Sequence, residues 1–221
     1  MSGAWEKERP SVLLAILTRE IVTTKWAFGF RNLVLPSASG VSFRCGAPYD
    51  VMRNSACDDT LRAGFQWLMF LDDDVIAPSD TFFRLAGHGA DVISGLYYRR
   101  QEPICPVAMT VDSKGQATWV KEWHPPNSTI EVDYVGAGCL LVHRRVLEAL
   151  GAPWFEWQIG KPNASREGEP ARGALSEDFA FCVRAKQAGY KIYLDTSIRC
   201  EHVGIGASGS PDGSFRPSAL P

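Results

Sequence analysis

Short, continuous apolar segments alternate with longer polar segments along most of the chain. Three of them have the length and continuity of strands buried on both faces: residues 12–17, 67–71 and 91–95. The capped polar segments between them predict two helices, at residues 54–64 and from Ser79 or Asp80 to Ala86. Strands that alternate with helices are typical of α/β proteins with a mainly parallel sheet.

Later segments extend this arrangement. Two short strand patterns, 107–110 and 118–120, flank a turn, and an apolar stretch with two embedded glycines follows at 132–142. Further helices are predicted at 144–150 and at 177–188, where Ser176 caps the start and Gly189 ends the helix. A strand is predicted at 191–194, and a helix at 20–35 and a strand at 41–44 have weaker patterns. We therefore expect an α/β fold with a mostly parallel central sheet flanked by helices, plus a small additional β element.

Two segments differ from the rest in composition. Residues 160–173 are rich in Gly, Pro, Asn, Ser and charge, which predicts a loop that is either a lid over bound ligands or a connector. Residues 205–221 are rich in Gly, Ser and Pro and are expected to be poorly ordered alone. The predicted organisation is one domain over residues 1–204, followed by a tail over 205–221.

Composition narrows the class of protein. The chain has 221 residues, 45% of them hydrophobic, and a formal net charge of -2. This fits one globular domain and gives no electrostatic case for a dedicated nucleic-acid binder. The apolar runs are too short to span a bilayer, and the six scattered cysteines are typical of buried thiols in a reducing compartment. With no apolar leader at its start, the chain is expected to be soluble and cytoplasmic.

The acidic triplet Asp72-Asp73-Asp74 follows the strand at 67–71 directly. In a parallel sheet such a strand end borders the ligand crevice. In an extended segment Asp72 and Asp74 would point the same way and Asp73 the opposite way. Carboxylate oxygens suit Mg²⁺ or Mn²⁺, and Mg²⁺ is commonly held by few carboxylates together with ligand phosphates. The alternative is a solvated acidic turn without function.

Several segments together resemble GT-A glycosyltransferases, especially the family-two type. Residues 70–75 resemble the DxD segment of that family, and residues 135–142 resemble its glycine-containing strand before the acceptor region. The "ED" helix is matched by Ser176-Glu177-Asp178-Phe179 with Arg184, Gly189 and Tyr190, and the C-terminal histidine by Glu201-His202-Val203-Gly204. The similarity covers residues 12–204, and the small size and residues 49–54 resemble short bacterial or bacteriophage members.

This resemblance implies roles for single residues. Asp74 and His202 would bind a divalent cation, Mn²⁺ or Mg²⁺, and Asp72 would bind the metal or the ribose. Asp178 would be the general base, although a carboxylate in the first turn of a helix is also favoured by the helix dipole. Glu177 would support the site or contact the acceptor. The residues expected to contact the nucleotide are Asp72, Asp73, Thr18, Arg19, Arg53 and Asn54, with Asp50 a further possibility; Arg53 could equally be a surface residue and Asn54 a helix cap.

The implied activity is metal-dependent transfer of a sugar, with inversion, from a nucleotide-diphosphate sugar to an acceptor hydroxyl. Uridine is the commonest base in such donors, so a UDP-sugar is expected. One alternative is a nucleotidyltransferase, but residues 17–20 lack the glycine-rich phosphate loop that those enzymes usually carry. A second alternative is a non-catalytic module that binds nucleotide sugars, which would need no base.

Candidates for the acceptor side are aromatic and basic. Trp154, Phe155 and Trp157 could stack on a sugar or could belong to the core, and Trp119, Trp123 and His124 raise the same question. Arg99 and Arg100 could reach the diphosphate or an anionic acceptor, or could simply be solvated. If the acceptor were a modified base in DNA, Arg144 and Arg145 would join them as phosphate contacts.

Overall fold

The computed structural model describes residues 10–101, 104–158, 175–204, 207–209 and 215–216. The predicted loop at 160–173 lies outside the described residues. Along the described chain the strands are β1 Ser11–Leu17, β2 Ala38–Arg44, β3 Trp67–Asp72, β4 Val75–Ile76, β5 Val92–Leu96, β6 Ala108–Val111, β7 Ala117–Trp119, β8 Thr129–Val132, β9 Tyr134–Val135, β10 Cys139–His143, β11 Ile192–Arg199, β12 Glu201–Gly204, β13 Ala207–Gly209 and β14 Phe215–Arg216.

A seven-stranded sheet with the order β2-β1-β3-β10-β5-β11-β8 forms the centre of the fold. Strands β2, β1, β3, β5 and β11 run in one direction, and β10 and β8 run in the other. The predicted mostly parallel sheet flanked by helices is therefore confirmed. The glycine-containing stretch at 132–142 is not one strand: it divides into β9 and β10, and β10 is antiparallel to both of its neighbours.

Five helices flank the sheet in the described part of the chain: α1 Thr24–Arg31, α2 Tyr49–Ala63, α3 Thr81–Gly87, α4 Arg144–Leu150 and α5 Glu177–Gln187. The first is much shorter than the predicted 20–35. Helix α2 begins at Tyr49, five residues before the predicted start, so Asn54 lies inside the helix and does not cap it. Pro48 can begin this helix because its fixed φ suits a helix start.

Alternation along the central strands separates the core into two layers. In β1, Leu13, Ala15 and Leu17 face α2, α4 and α5, whereas Val12, Leu14 and Ile16 face α1 and α3. Because both faces of these strands are covered, their sequences are continuously apolar. The rigid layers hold the carboxyl ends of β1, β3, β5 and β11 at one edge, which is where the acidic triplet lies.

Two small sheets extend this edge. The order β7-β6-β9 confirms the predicted small β element, and the order β14-β13-β12-β4 joins the chain after β11 to the segment after the triplet. The predicted tail therefore contains two short strands, β13 and β14. All six cysteines are free thiols, and all but Cys45 are buried. In the described residues, no helix is both long enough and apolar enough to cross a membrane.

Candidate active site

The three aspartates lie where β3 ends, in a turn that leads into β4. Only Asp72 continues the strand, and Asp73 and Asp74 occupy the turn, so the extended geometry expected for the triplet ends after its first member. The backbone of Asp72 is fixed from two sides, because its N–H donates to the Gly138 carbonyl (3.1 Å) and its carbonyl accepts from the Trp26 indole (3.0 Å). The three carboxylates have different sets of positive partners, and Arg19 lies near both Asp73 and Asp74.

Asp72 is bound by Arg53, which reaches it from the middle of α2. The Arg53 Nη2 atom lies 3.2 Å from both carboxylate oxygens, and its Nε atom lies 3.3 Å from a carboxylate oxygen of Glu177. Its Nη1 atom donates to the Ala137 carbonyl at 3.3 Å. Arg53 is only 3% exposed, so it is neither a surface residue nor an open nucleotide contact. One guanidinium thus joins the acidic turn to the first residue of α5.

Burial and charge shift the titration of this cluster. Burial raises the pKa of Asp72 to about 6, against the opposing attraction of Arg53. Burial also raises the pKa of Glu177, and repulsion from Asp178 adds to the effect. Burial by itself would lower the pKa of Arg53, but Asp72 and Glu177 raise it above its ordinary value. The guanidinium therefore stays charged, and it offsets part of the repulsion between carboxylates that meet here.

The Asp73 carboxylate is buried and is bound by Arg19 of the same protein. Its carboxylate is 4% exposed and accepts the backbone N–H of Arg19 at 2.8 Å and the Arg19 Nη2 at 3.3 Å. Its own N–H donates to the Leu17 carbonyl at 3.1 Å. Nearby, the Thr18 hydroxyl accepts the N–H of Glu20 at 3.0 Å. Asp73 therefore fixes the segment after β1, and through it positions Thr18 and Arg19 beside the triplet.

Asp74 faces His202, the other residue to which the resemblance assigns metal binding. The His202 Nε2 atom lies 3.5 Å from Asp74 Oδ1, and Arg100 Nη1 lies 3.1 Å from Asp74 Oδ2. Although burial alone would raise it, the pKa of Asp74 lies below its ordinary value because His202, Arg100 and Arg19 stabilise the charged form. Strand β12 brings His202 here by pairing with β4, and the Val203 N–H donates to the Asp74 carbonyl at 2.7 Å.

The hydrogen bond to Tyr98 fixes which ring nitrogen of His202 faces Asp74. Its Nδ1 atom lies 2.7 Å from the carbonyl oxygen of Tyr98. A carbonyl can only accept, so Nδ1 carries a hydrogen and Nε2 is the nitrogen that faces Asp74. A neutral Nε2 opposite a carboxylate oxygen is a pair of acceptors, which a proton or a metal cation must bridge. This second contact is the kind that orients histidine ligands of metals.

The three expected metal ligands do not form one cluster. Within the described ranges, no group of three or more His, Cys, Asp or Glu side chains is arranged to hold a metal ion. Asp74 and His202 meet, whereas the carboxylate of Asp72 is turned toward Arg53. A cation bound here would have two protein donors, and the rest of its coordination would have to come from elsewhere.

A residue that sequence reasoning did not single out, Tyr97, lies under the glycine-containing segment. Its hydroxyl accepts the Gly138 N–H at 3.0 Å, and its ring meets the His202 ring edge-on at 5.4 Å. A Cβ atom at Gly136 would lie 2.1 Å from the Tyr97 hydroxyl, and one at Gly138 would lie 3.0 Å from it. The signal was present in the sequence: glycines in an apolar segment mark a close approach by another group.

Helix α5 contributes its first turn to the site. Glu177 is buried against Arg53, and Asp178 is half-buried. The Asp178 carboxylate accepts from the Ser176 hydroxyl and, at 2.8 Å, from the Phe179 N–H. Ser176 is the residue before the helix, as predicted, but its side chain binds Asp178 instead of capping the backbone. The negative charge of Asp178 also contributes to raising the pKa of the buried Tyr97 hydroxyl, after burial itself.

The expected acceptor aromatics have different environments. Trp154 and Phe155 are buried in the core, with the Trp154 indole donating to the Leu147 carbonyl at 2.7 Å, so they present no ring face to a ligand. Trp157 is 44% exposed. Asn54 holds this segment in place. Its side-chain oxygen accepts the N–H groups of Trp154 and Phe155, and its side-chain nitrogen donates to the Phe155 carbonyl. Its side chain is therefore committed to this loop and not to a nucleotide.

The four arginines considered for an anionic acceptor do not share one surface. Arg99 and Arg100 follow β5 at the edge that carries the triplet, and Arg100 binds Asp74. Arg144 and Arg145 follow β10, whose end pairs with the start of β3, so they lie at the opposite edge of the sheet. There they pair with Glu148 and Asp91. The antiparallel direction of β10 therefore separates Arg144 and Arg145 from Arg99 and Arg100.

Many solved structures match this architecture, among them A197 from STIV and GalNAc-T7. The crystal structure of A197 from STIV aligns over 95% of this chain and 95% of its own, with a TM-score of 0.64 and 20% sequence identity. The crystal structure of GalNAc-T7 with UDP, GalNAc and Mn²⁺ aligns over 90% of this chain, with a TM-score of 0.55 and 12% identity. This chain covers 45% of that second chain. The structural likeness to these two proteins shows that the chain has a GT-A-like fold. No protein-family model and no curated protein matches the sequence.

Proposed function

We propose that the protein is a metal-dependent glycosyltransferase that moves a sugar from a nucleotide-diphosphate sugar to an acceptor hydroxyl with inversion. The observation that carries this proposal is the meeting of three elements at one sheet edge. The acidic turn, the histidine of β12 and the two carboxylates of α5 converge there, and Arg53 links the turn to α5. The GT-A-like fold supports the same conclusion, and GalNAc-T7 was solved with UDP and Mn²⁺. Within the fold, a short bacterial or bacteriophage family-two type is our assignment.

The donor set at Asp74 fits a hard divalent cation. A carboxylate oxygen and an imidazole nitrogen are both competent ligands of Mn²⁺ or Mg²⁺. With the hydrogen on Nδ1, His202 Nε2 and Asp74 Oδ1 would be the two protein donors available to such a cation, and without metal a proton can join them. Such ions are commonly held by few protein ligands and completed by phosphate oxygens and water. When bound, the metal would neutralise charge on the departing nucleoside diphosphate.

The nucleotide side is assigned to the chain around α2 and after β1. The Oδ1 atom of Asp50 is buried and has no hydrogen-bond partner in the described part of the chain. The N3–H group of a uracil ring would satisfy this acceptor, which supports a UDP-sugar as donor. Arg19 lies beside Asp73 and Asp74 and is 61% exposed in its side chain, so it can contact a diphosphate.

The acceptor side is assigned to α5. Asp178 is the proposed general base, which takes the proton of the acceptor hydroxyl as the oxygen attacks the anomeric carbon. Glu177 is held by Arg53 and acts on the site through that contact. The acceptor oxygen would attack from the α5 side, and the nucleoside diphosphate would leave toward the Asp74–His202 side. The attacking oxygen and the leaving oxygen would then lie on opposite faces of the sugar. This arrangement inverts the anomeric centre.

A donor screen tests the proposal directly. With Mn²⁺ present, a UDP-sugar should raise the melting temperature and be slowly hydrolysed. His202→Ala and Asp74→Asn should abolish the metal-dependent stabilisation and hydrolysis while the protein stays folded. Asp178→Asn should lower transfer by about 10²–10⁴-fold with donor binding retained. Asp80→Asn, at a side chain that is 60% exposed, is the control and should behave as wild type.

Two results would contradict the proposal. If no nucleotide sugar changed the melting temperature with or without metal, no donor site would exist. If Asp178→Asn left the function unchanged, a non-catalytic nucleotide-sugar module would be the better assignment. Release of pyrophosphate from a nucleoside triphosphate, without sugar transfer, would instead identify a nucleotidyltransferase.

A further inference from the structure

Three aromatic rings form a continuous row beside the first turn of α5. Trp119 of β7 and Tyr134 of β9 are both paired with Met109 of β6, so their side chains lie on the same face of the small sheet. Phe179 of α5 packs on this face, with ring centroids 5.3 Å from Tyr134 and 6.2 Å from Trp119. All three residues are half-buried, so the row is covered only in part. We call Trp119, Tyr134 and Phe179 the aromatic row.

The aromatic row adjoins two chain segments that carry parts of the active site. Phe179, the middle ring of the row, directly follows Asp178, the proposed base. At one end of the row, the Arg99 guanidinium lies 4.8 Å from the Trp119 ring centroid. Arg99 continues the segment in which Tyr97 contacts the His202 ring and Tyr98 accepts its Nδ1–H. The row is therefore joined through short chain segments to Asp178 on one side and to the residues that contact His202 on the other.

We infer that the aromatic row is the acceptor subsite and that the acceptor it takes is a saccharide. This inference rests on the proposed function. A pyranose ring has an apolar C–H face that packs on aromatic rings, and hydroxyls at its rim that can reach an arginine, and small-molecule sites combine these two features. Trp154 and Phe155 lie in the core and cannot provide such a surface.

Charge around the row favours a saccharide over DNA. A duplex acceptor would require several cations along its phosphates. Lys186, which follows on α5, is paired with Asp133, and Arg144 and Arg145 lie at the opposite edge of the sheet. The positive group placed on the row itself is Arg99, stacked on Trp119, where it suits a ring hydroxyl better than a strand of phosphates.

Saturation-transfer NMR with methyl glycosides of glucose, galactose, mannose and N-acetylglucosamine tests the subsite. We expect at least one glycoside to receive saturation on the hydrogens of one ring face. Trp119→Ala should weaken that binding by about tenfold, whereas Trp119→Phe, which keeps a ring, should weaken it less. Phe83→Ala removes an exposed aromatic ring from α3 and is the matched control, expected to bind as wild type. Melting temperatures of all variants report whether the fold is kept.

The outcomes separate this inference from the proposed function. Hydrolysis of a UDP-sugar without acceptor is measured on wild-type protein and on the control Phe83→Ala, which should hydrolyse it equally. If wild-type protein hydrolysed the donor but Trp119→Ala bound the glycosides equally well, the subsite would be wrong and the enzyme assignment would stand. If Trp157→Ala lost glycoside binding and Trp119→Ala did not, the acceptor would bind at the segment after α4, and the aromatic row would not be the subsite. Salt-sensitive binding of duplex DNA, lost in Trp119→Ala, with no glycoside bound, would also overturn the saccharide assignment.

Discussion

Arg53 shows how a single side chain can organise the site. Sequence reasoning could name it as a candidate but could not assign its partners, because Glu177 lies far along the chain and meets it only through the tertiary fold. The guanidinium geometry matters, since several N–H groups in a rigid plane reach Asp72, Glu177 and the Ala137 carbonyl at once. A lysine in its place could not make these contacts together.

Arg53→Met should lower the free energy of unfolding by about 3–5 kcal/mol, because it leaves the carboxylates of Asp72 and Glu177 without their buried partner. Arg53→Lys should also destabilise the protein, since one ammonium replaces a planar group. Urea denaturation measures both. Arg62→Met, which removes an exposed ion pair with Asp58 on the same helix, should leave the stability unchanged. A loss at Arg53 no larger than at Arg62 would show that the cluster does not depend on the guanidinium.

Among the elements, the glycine-containing segment before β10 is defined by what packs against it. The sequence predicted its apolar character, but its division into β9 and β10 depends on pairing with separate partners, β6 on one side and β3 and β5 on the other. Pairing between distant strands is a tertiary property that a local pattern does not contain. The same reason explains why β8 was missed, whereas the continuous apolar strands β1 and β3 were predicted nearly residue by residue.

Gly136→Ala should destabilise the protein by about 1–3 kcal/mol, because the new Cβ would lie 2.1 Å from the Tyr97 hydroxyl and 2.6 Å from a Val107 methyl. Adding Tyr97→Phe removes the closest atom, so the double variant should be more stable than the sum of the two single changes predicts. Gly87→Ala at the end of α3 meets no atom within 4 Å and should be neutral or slightly stabilising. Additive effects at Gly136 and Tyr97 would contradict the packing argument. Thermal denaturation with calorimetry provides the comparison.

For the molecule as a whole, the free energy of unfolding at low pH depends on buried carboxylates that accept hydrogen bonds in the folded state. Asp195 of β11 is 2% exposed, and its oxygens accept from the Ser197 N–H at 2.8 Å and face His88 Nε2 at 2.8 Å. Burial alone would raise its pKa, but the hydrogen bonds from Ser197 and His88 hold it below the ordinary value. Because the folded-state pKa is lowered, this carboxylate adds stability above its unfolded pKa of about 3.9, and the contribution is lost as the pH falls through the folded-state value.

Asp195→Asn should therefore lower the free energy of unfolding by about 1–2 kcal/mol at neutral pH. The difference from wild type should shrink below about pH 4, where the wild-type carboxyl is also protonated. Urea titrations between pH 3 and pH 7 give both values. Asp80→Asn, at an exposed side chain, is the control and should follow the wild-type profile throughout. A constant difference at all pH values would mean that the effect of Asp195→Asn comes from shape and not from charge.

The pairing of β12 with β4 has a consequence for the order in which the protein is made. Asp74 is synthesised well before His202, and the two meet only through the pairing of β12 with β4. Contacts between such distant residues form after local structure because closing the intervening loop costs entropy. A nascent chain that stops before β12 would present the acidic turn without its histidine partner. The Asp74–His202 pair would thus form only after β12 has left the ribosome, so products that stop before β12 would lack the proposed function.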